Sequence, residues 1–192
     1  MRHRRKGRTL GRSPSHQRAL LKNLASSLFL TERDAEDDDN KPKVKGRIVT
    51  TVEKAKEVRP LVERCITLAR NALPAQQEAD KFGTTASRNS EAWKTWRKSD
   101  IYQQWNQAIA PLVVARRRAL CLLGDKQAVR ILFAEVAPRF VDRPGGYTRV
   151  LRLAKPRLGD AGTRAILEFV GVRDRVSQRA VRPTFETSEA AS

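Results

Sequence analysis

The two histidines, His3 and His16, both lie among arginines in the first sixteen residues, with no cysteine or carboxylate at metal-ligand spacing beside them. A zinc site would lack its ligand set there, and a serine or cysteine nucleophile would lack a base held in a folded pocket. Cys65 and Cys121 stand 56 residues apart, each flanked by apolar residues, so both read as small buried hydrophobes rather than a redox pair. Gly145-Gly146 lacks the downstream Lys-Ser/Thr of a phosphate-binding loop and reads as a turn. The acids between Glu32 and Asp39 lack the glycine turn and ligand spacing of a calcium loop. The expectation is therefore no catalytic residue, no metal, no cofactor and no small-molecule substrate.

What remains is the chemistry of cations. The 192 residues carry 39 Lys+Arg against 21 Asp+Glu, a net charge of +18. That excess argues against an ordinary neutral metabolic enzyme and for a polyanionic partner. It is also unevenly placed: residues 1–30 hold eight Lys/Arg and no acid, and residues 113–176 hold fourteen against six. Through Arg12 the arm prefers Arg to Lys by five to one, and a guanidinium fork binds phosphate bidentately where an ammonium binds as a point charge. Outside residues 74–112 the aromatic candidates for base stacking reduce to Phe140 and Tyr147, so backbone and shape recognition should dominate. Composition alone leaves structured RNA and DNA open as the partner.

Elements must position these cations. Residues 1–12 are too charged and too poor in apolar side chains to fold alone and read as an extended arm ordered by a partner. A similar composition would suit a mitochondrial transit peptide; a secretory signal is excluded because Lys22, Asn23, Ser26 and Ser27 interrupt Leu20–Leu30. Ser13 as a cap and Pro14 at the first helical position predict a helix with Leu20, Leu21, Leu24 and Leu28 on one face, leaving His16, Arg18 and Lys22 on the other. Residues 33–46 read as an acidic disordered loop, and Arg47–Thr51 as a short strand. Ala55, Val58, Val62, Ile66, Ala69 and Leu73 then predict a helix with Lys54, Lys56, Arg59, Arg64 and Arg70 exposed, kinked or started late at Pro60.

Residues 74–112 hold all three tryptophans and read as an inserted helical excursion that either packs on the body or docks a neighbour. From Val113 to Phe140 the pattern is helical again, broken at Gly124-Asp125 where Asp125 can cap, and stopped by Pro138. Tyr147–Leu153 and Thr163–Val170 predict an antiparallel hairpin that carries Arg149, Arg152, Lys155, Arg157 and Arg164. No stretch approaches the ~18 consecutive apolar residues of a membrane span, so a soluble protein without a membrane partner is expected.

Several motifs in order make the chain resemble the bacterial large-subunit ribosomal protein family numbered seventeen. They are Met1-Arg2-His3-Arg4 with Gly7-Arg8, Arg47-Ile48-Val49-Thr50-Thr51 followed by Lys54-Ala55-Lys56-Glu57-Val58-Arg59, Ile66-Thr67-Leu68-Ala69-Arg70, Ala137-Pro138-Arg139-Phe140, Gly145-Gly146-Tyr147-Thr148-Arg149, and Ile166-Leu167-Glu168-Phe169-Val170. The resemblance implies a two-layer α+β fold, helices packed on a small sheet, here with a C-terminal antiparallel hairpin and a basic extended N-terminal arm. It implies a structural, non-enzymatic constituent of the cytoplasmic ribosome that binds large-subunit rRNA near the peptide exit side, beside neighbouring large-subunit proteins. It further implies RNA contacts at Arg2, His3, Arg4, Gly7, Arg8, His16, Lys54, Lys56, Tyr147 and Arg149.

To these the charge pattern adds Arg5, Lys6, Arg12, Arg18, Lys22, Arg139 and Arg152. The expected organisation is one RNA-binding domain over residues 1–176, with the acidic insertion at 33–46 and the tryptophan-bearing insertion at 74–112, then a flexible tail over 177–192. The alternatives from other classes are a basic nucleoid-type DNA-binding protein and an RNA-processing enzyme that uses His16.

Overall fold

The computed structural model describes residues 7, 8, 10–35 and 38–171, so the expectations for residues 1–6 of the arm and for the tail lie outside the described residues. Helix α1 runs over Pro14–Leu30. Ser13 occupies its N-cap position with extended backbone but makes no side-chain capping bond, so Pro14 alone carries the start signal. The buried side of α1 is Ala25, Ser26, Leu28 and Phe29, with Leu21 and Leu24 half-buried beside it. Ser26 spends its hydroxyl on the Leu123 carbonyl at 3.0 Å, which satisfies a carbonyl at the end of a later helix.

Strand β1 (Arg47–Thr51) leads directly into helix α2 (Val52–Asp80), which runs unbroken through Pro60 and Pro74. The late start expected at Pro60 is not observed. Nine residues of one stripe, from Val52 to Ala79, are buried, and the apolar area they remove from water outweighs the single backbone bond that Pro60 forfeits on the exposed side. Helix α3 (Glu91–Lys98) and helix α4 (Asp100–Leu123) follow, and α4 packs along α2. The tryptophan-bearing stretch is thus built mainly as the far ends of α2 and α4, with α3 across the gap.

Its rings make a small cluster of their own. Trp96 meets Tyr102 and Trp105 edge-on at 5.0 and 5.6 Å, and Trp96 Nε1 donates to the Phe82 carbonyl.

On α4 the buried stripe is Leu112, Ala115, Ala119 and Leu123. Cys121 lies two residues past Ala119, about 200° around the helix, and is exposed, which corrects the expectation that both cysteines are buried. Cys65 is buried on α2, and burial pushes its thiol up to about 12 against the opposing pull of Arg64. Gly124 ends α4 at φ +80, and the Asp125 carboxylate accepts from Gln127 N and Ala128 N to start helix α5 (Lys126–Ile131). A π-helical turn, Leu132–Val136, then precedes the short helix α6 (Ala137–Arg139). Pro138 therefore sits inside the last helical turn rather than before its end.

Strands β2 (Thr148–Arg152) and β3 (Arg164–Phe169) pair antiparallel, as the hairpin pattern predicts. β1 pairs antiparallel with the other edge of β3, giving the order β1-β3-β2 among the described residues. Ala165 and Leu167 of β3 are buried against the helices together with half-buried Ile48 and Val150, while Val49 and Leu151 lie opposite Ile166 on the open face. The helices and sheet make the α+β arrangement expected. Phe29, Phe169, Phe140 and Tyr147 form a chain of ring contacts at 5.7, 6.4 and 5.1 Å that joins α1, β3, the end of α6 and the entry to β2.

Candidate nucleic-acid interface

The antiparallel register brings β2 beside the first turns of α2, and the two leave a groove of about 840 Å³ between them. It is lined by Lys56 and Arg59 from α2 and by Arg149 and Arg152 from β2, together with Val52, Pro60 and Val150. One carboxylate lines the groove, Glu63, and it is engaged: it accepts from Tyr147 N at 3.2 Å, Thr148 N at 3.0 Å and the Thr148 hydroxyl at 2.7 Å. Glu63 thereby fixes the Gly146-Tyr147-Thr148 turn against α2 and also sits 3.6 Å from Arg59. Four cations thus line a groove between a helix and a strand, two of them, Arg59 and Arg149, also held by acids of the fold.

The described part of the arm, at Gly7 and Arg8, lies near the same turns of α2. Arg8 approaches Glu57 at 3.8 Å, and Gln17 on α1 donates to the Arg8 carbonyl. Gly7, at φ +88, stands where an added Cβ would meet Glu57 Oε2 at 3.5 Å. Lys54, half-buried, and Lys56, exposed, flank that contact on α2. Arg12, His16 and Arg18 are exposed along the start of α1, where Arg18 Nε donates to the Pro14 carbonyl, and Lys22 is half-buried one turn on. Arg2, His3, Arg4, Arg5 and Lys6 lie outside the described residues.

Arg139, Arg149 and Tyr147 are held by partners deeper in the fold. Arg139 makes a two-pronged bond to Glu32 at 2.9 and 2.8 Å, and that hydrogen bonding raises its already high pKa. Glu32, just after the α1 C-cap and just before the acidic loop, is 6% exposed and ties the end of α1 to α6. Gly46, at φ +75, passes so close that an added Cβ would stand 2.9 Å from Glu32 Oε1. Arg149 Nε bonds Glu168 at 2.5 Å, and Arg47 reaches the same carboxylate at 3.4 Å from the opposite edge of β3. Tyr147 is 1% exposed and packs on Phe140, itself buried, so neither ring is offered to a base. What this segment presents to the groove is Gly146 and the side chains of β2.

Arg59 and Glu63 also line the groove and were not among the predicted contacts. Arg59 was legible as part of the exposed basic face of α2. Glu63 carried no local signal, because its partners are 84 and 85 residues away. In the loop between β2 and β3, Arg157 is bound to Asp160, whose carboxyl it holds far below the usual range, with help from Gly162 N. Among the described residues no group of three or more His, Cys, Asp or Glu could hold a metal ion, and no helix is long and apolar enough to cross a membrane.

Residues 20–170 match the family model described as Ribosomal protein L17. The large ribosomal subunit protein bL17 of Rhodopirellula baltica is 66% identical over 186 residues, covering 97% of this chain and 89% of that protein. The bL17 proteins of Nitratidesulfovibrio vulgaris and Lawsonia intracellularis are 37% and 35% identical, each over 88% of this chain and over 87% and 92% of their own lengths. The motif series, the helices on a small sheet and these matches agree, and the chain belongs to the ribosomal protein L17 family.

Proposed function

We infer that this chain is a structural constituent of the large ribosomal subunit, in the cytoplasm, where it binds large-subunit rRNA near the peptide exit side and touches neighbouring ribosomal proteins. The observation that carries the reading is the groove between α2 and β2, with Lys56, Arg59, Arg149 and Arg152 around it and its single carboxylate turned to backbone donors. A phosphate backbone lying there would displace condensed counterions, and the arm, running on from Arg8, would extend the same contact along the RNA. Arg12, His16, Arg18 and Lys22 on α1 would supply further contacts on the arm side. Arg139 would contribute chiefly by locking α6 to the end of α1, and Tyr147 by its packing. The reading requires no chemical turnover: the protein neutralises charge and holds rRNA segments together.

Quantitative mass spectrometry across a sucrose gradient, at low and at high salt, tests it. The expected result is about one copy per large subunit, retained at high salt because the folded body is packed into the particle, whereas binding through phosphate contacts alone would be lost as salt rises. Recovery with DNA or in free fractions would overturn it in favour of a basic DNA-binding protein.

A further inference from the structure

A second groove lies on the other flank of α2, where it meets α4. It encloses about 620 Å³ and is floored by Leu68, Val114 and Leu122 and rimmed by Arg64, Arg117 and Arg118. Arg64 and Leu68 stand roughly a third of a turn around α2 from Lys56 and Arg59, so this groove is separate from the candidate RNA interface. Among the described residues its charge is uncompensated. No carboxylate lines it, and none of the three arginines makes an ion pair among the described residues, whereas Arg8, Arg47, Arg59, Arg139, Arg149 and Arg157 all do. Its floor is uncovered too: Val114 is 43% exposed, next to exposed Val113.

We propose that this groove docks a segment of a neighbouring protein in which an apolar side chain is flanked by carboxylates. The apolar side chain fills the floor and the carboxylates meet the three guanidiniums, so rim and floor are both matched by one partner. An RNA backbone matches only the rim. It would have to lay phosphates over Leu68, Val114 and Leu122, and the groove offers no ring on which a base could stack. The exposed aliphatic floor is the feature that burial would stabilise, and the three exposed arginines around it give a partner of this composition its charge complementarity. The proposal rests on the large-subunit reading only for where that partner is met.

Cys121 lines the same groove and provides the probe. It is exposed, whereas Cys65 is buried with its thiol held protonated, so a maleimide photo-crosslinker attaches to Cys121 of the full-length chain alone. The labelled protein is assembled into particles in cell extract, separated on a gradient, irradiated, and the crosslinked peptide sequenced. The expected product is one protein, joined through a segment with acids on either side of an apolar residue. Alkylation of unlabelled Cys121 should slow by about tenfold in the particle relative to the free chain, and Arg64→Gln with Arg117→Gln should restore most of that rate while the protein still co-sediments.

Crosslinking to rRNA, to residues 172–192 of this chain, or to nothing while Cys121 stays as reactive as in the free protein would each overturn the proposal. Failure of the ribosomal reading is visible separately, as absence of the wild-type chain from the large-subunit peak. In that case the same crosslink is read in whichever fraction holds the protein.

Discussion

Glu63 accepts three hydrogen bonds from Tyr147 and Thr148, and through them a single carboxylate on α2 sets the position of β2. Two of those donors are backbone amides of buried residues, and orphaned amides cost about 1–3 kcal/mol each. Glu63→Ala should therefore lower unfolding stability by about 2 kcal/mol or more, read from the urea midpoint, and Glu63→Gln by less because it keeps an acceptor. An unchanged midpoint for Glu63→Ala would mean that the turn is held by packing alone. The same logic applies to Glu32 and Glu168. Both are acids buried in a strongly basic protein, and each is met by arginine, so they orient guanidiniums at the surface. In a chain that carries +18, acids of this kind serve to aim cations.

Among the elements, the junction between α4 and α5 shows local chemistry at its most decisive. Gly124 takes up φ +80, where an L side chain is strained, and Asp125 then caps two amide groups of the next helix. Gly124→Ala and Asp125→Ala should each cost about 1 kcal/mol in chemical denaturation. Because the two residues adjoin, the double variant should fall short of the sum. Elsewhere tertiary packing overrides local signals. Pro60 would end a solitary helix, which loses ~3 kcal/mol to an interior proline, yet α2 continues because its buried stripe extends to Ala79. Near Pro138 the chain widens into a π-helical turn over Leu132–Val136, and Ala137 N bonds the Leu132 carbonyl just before the proline.

Across the molecule, charge and core are separated. The core runs from Ala25 to Leu167, and among the described residues no buried apolar side chain precedes it. Removal of residues 1–6 should therefore leave the unfolding midpoint unchanged. Binding to structured rRNA fragments should weaken, and the slope of log affinity against log salt should flatten by about 0.7–0.9 for each phosphate that the shortened arm no longer neutralises. Filter binding over a salt series measures this. A lowered midpoint would instead make the arm part of the folded body. Helices α2 and α4, about 44 and 36 Å long over their whole length at the usual rise per residue, carry the aromatic cluster at their far ends away from the groove.

Whatever depends on neighbours along the chain was legible before folding. Spacings of three and four placed the apolar faces of α1 and α2; alternation and β-branched residues placed the three strands; Gly124-Asp125 placed a helix boundary. Histidine and cysteine in no ligand-like spacing offered neither a metal its ligand set nor a nucleophile its base, and the clustered arginines pointed to a polyanion. Whatever depends on residues far apart in sequence was settled by tertiary structure. It paired β1 with β3, spent Glu32 and Glu63 on partners 107, 84 and 85 positions away, buried Tyr147 and exposed Cys121. Periodicity can say that a residue lies on an apolar face or a polar one. Which arginine is clamped by a buried acid and which is left for a ligand follows only when the chain closes on itself, because loop closure, not local propensity, sets those distances.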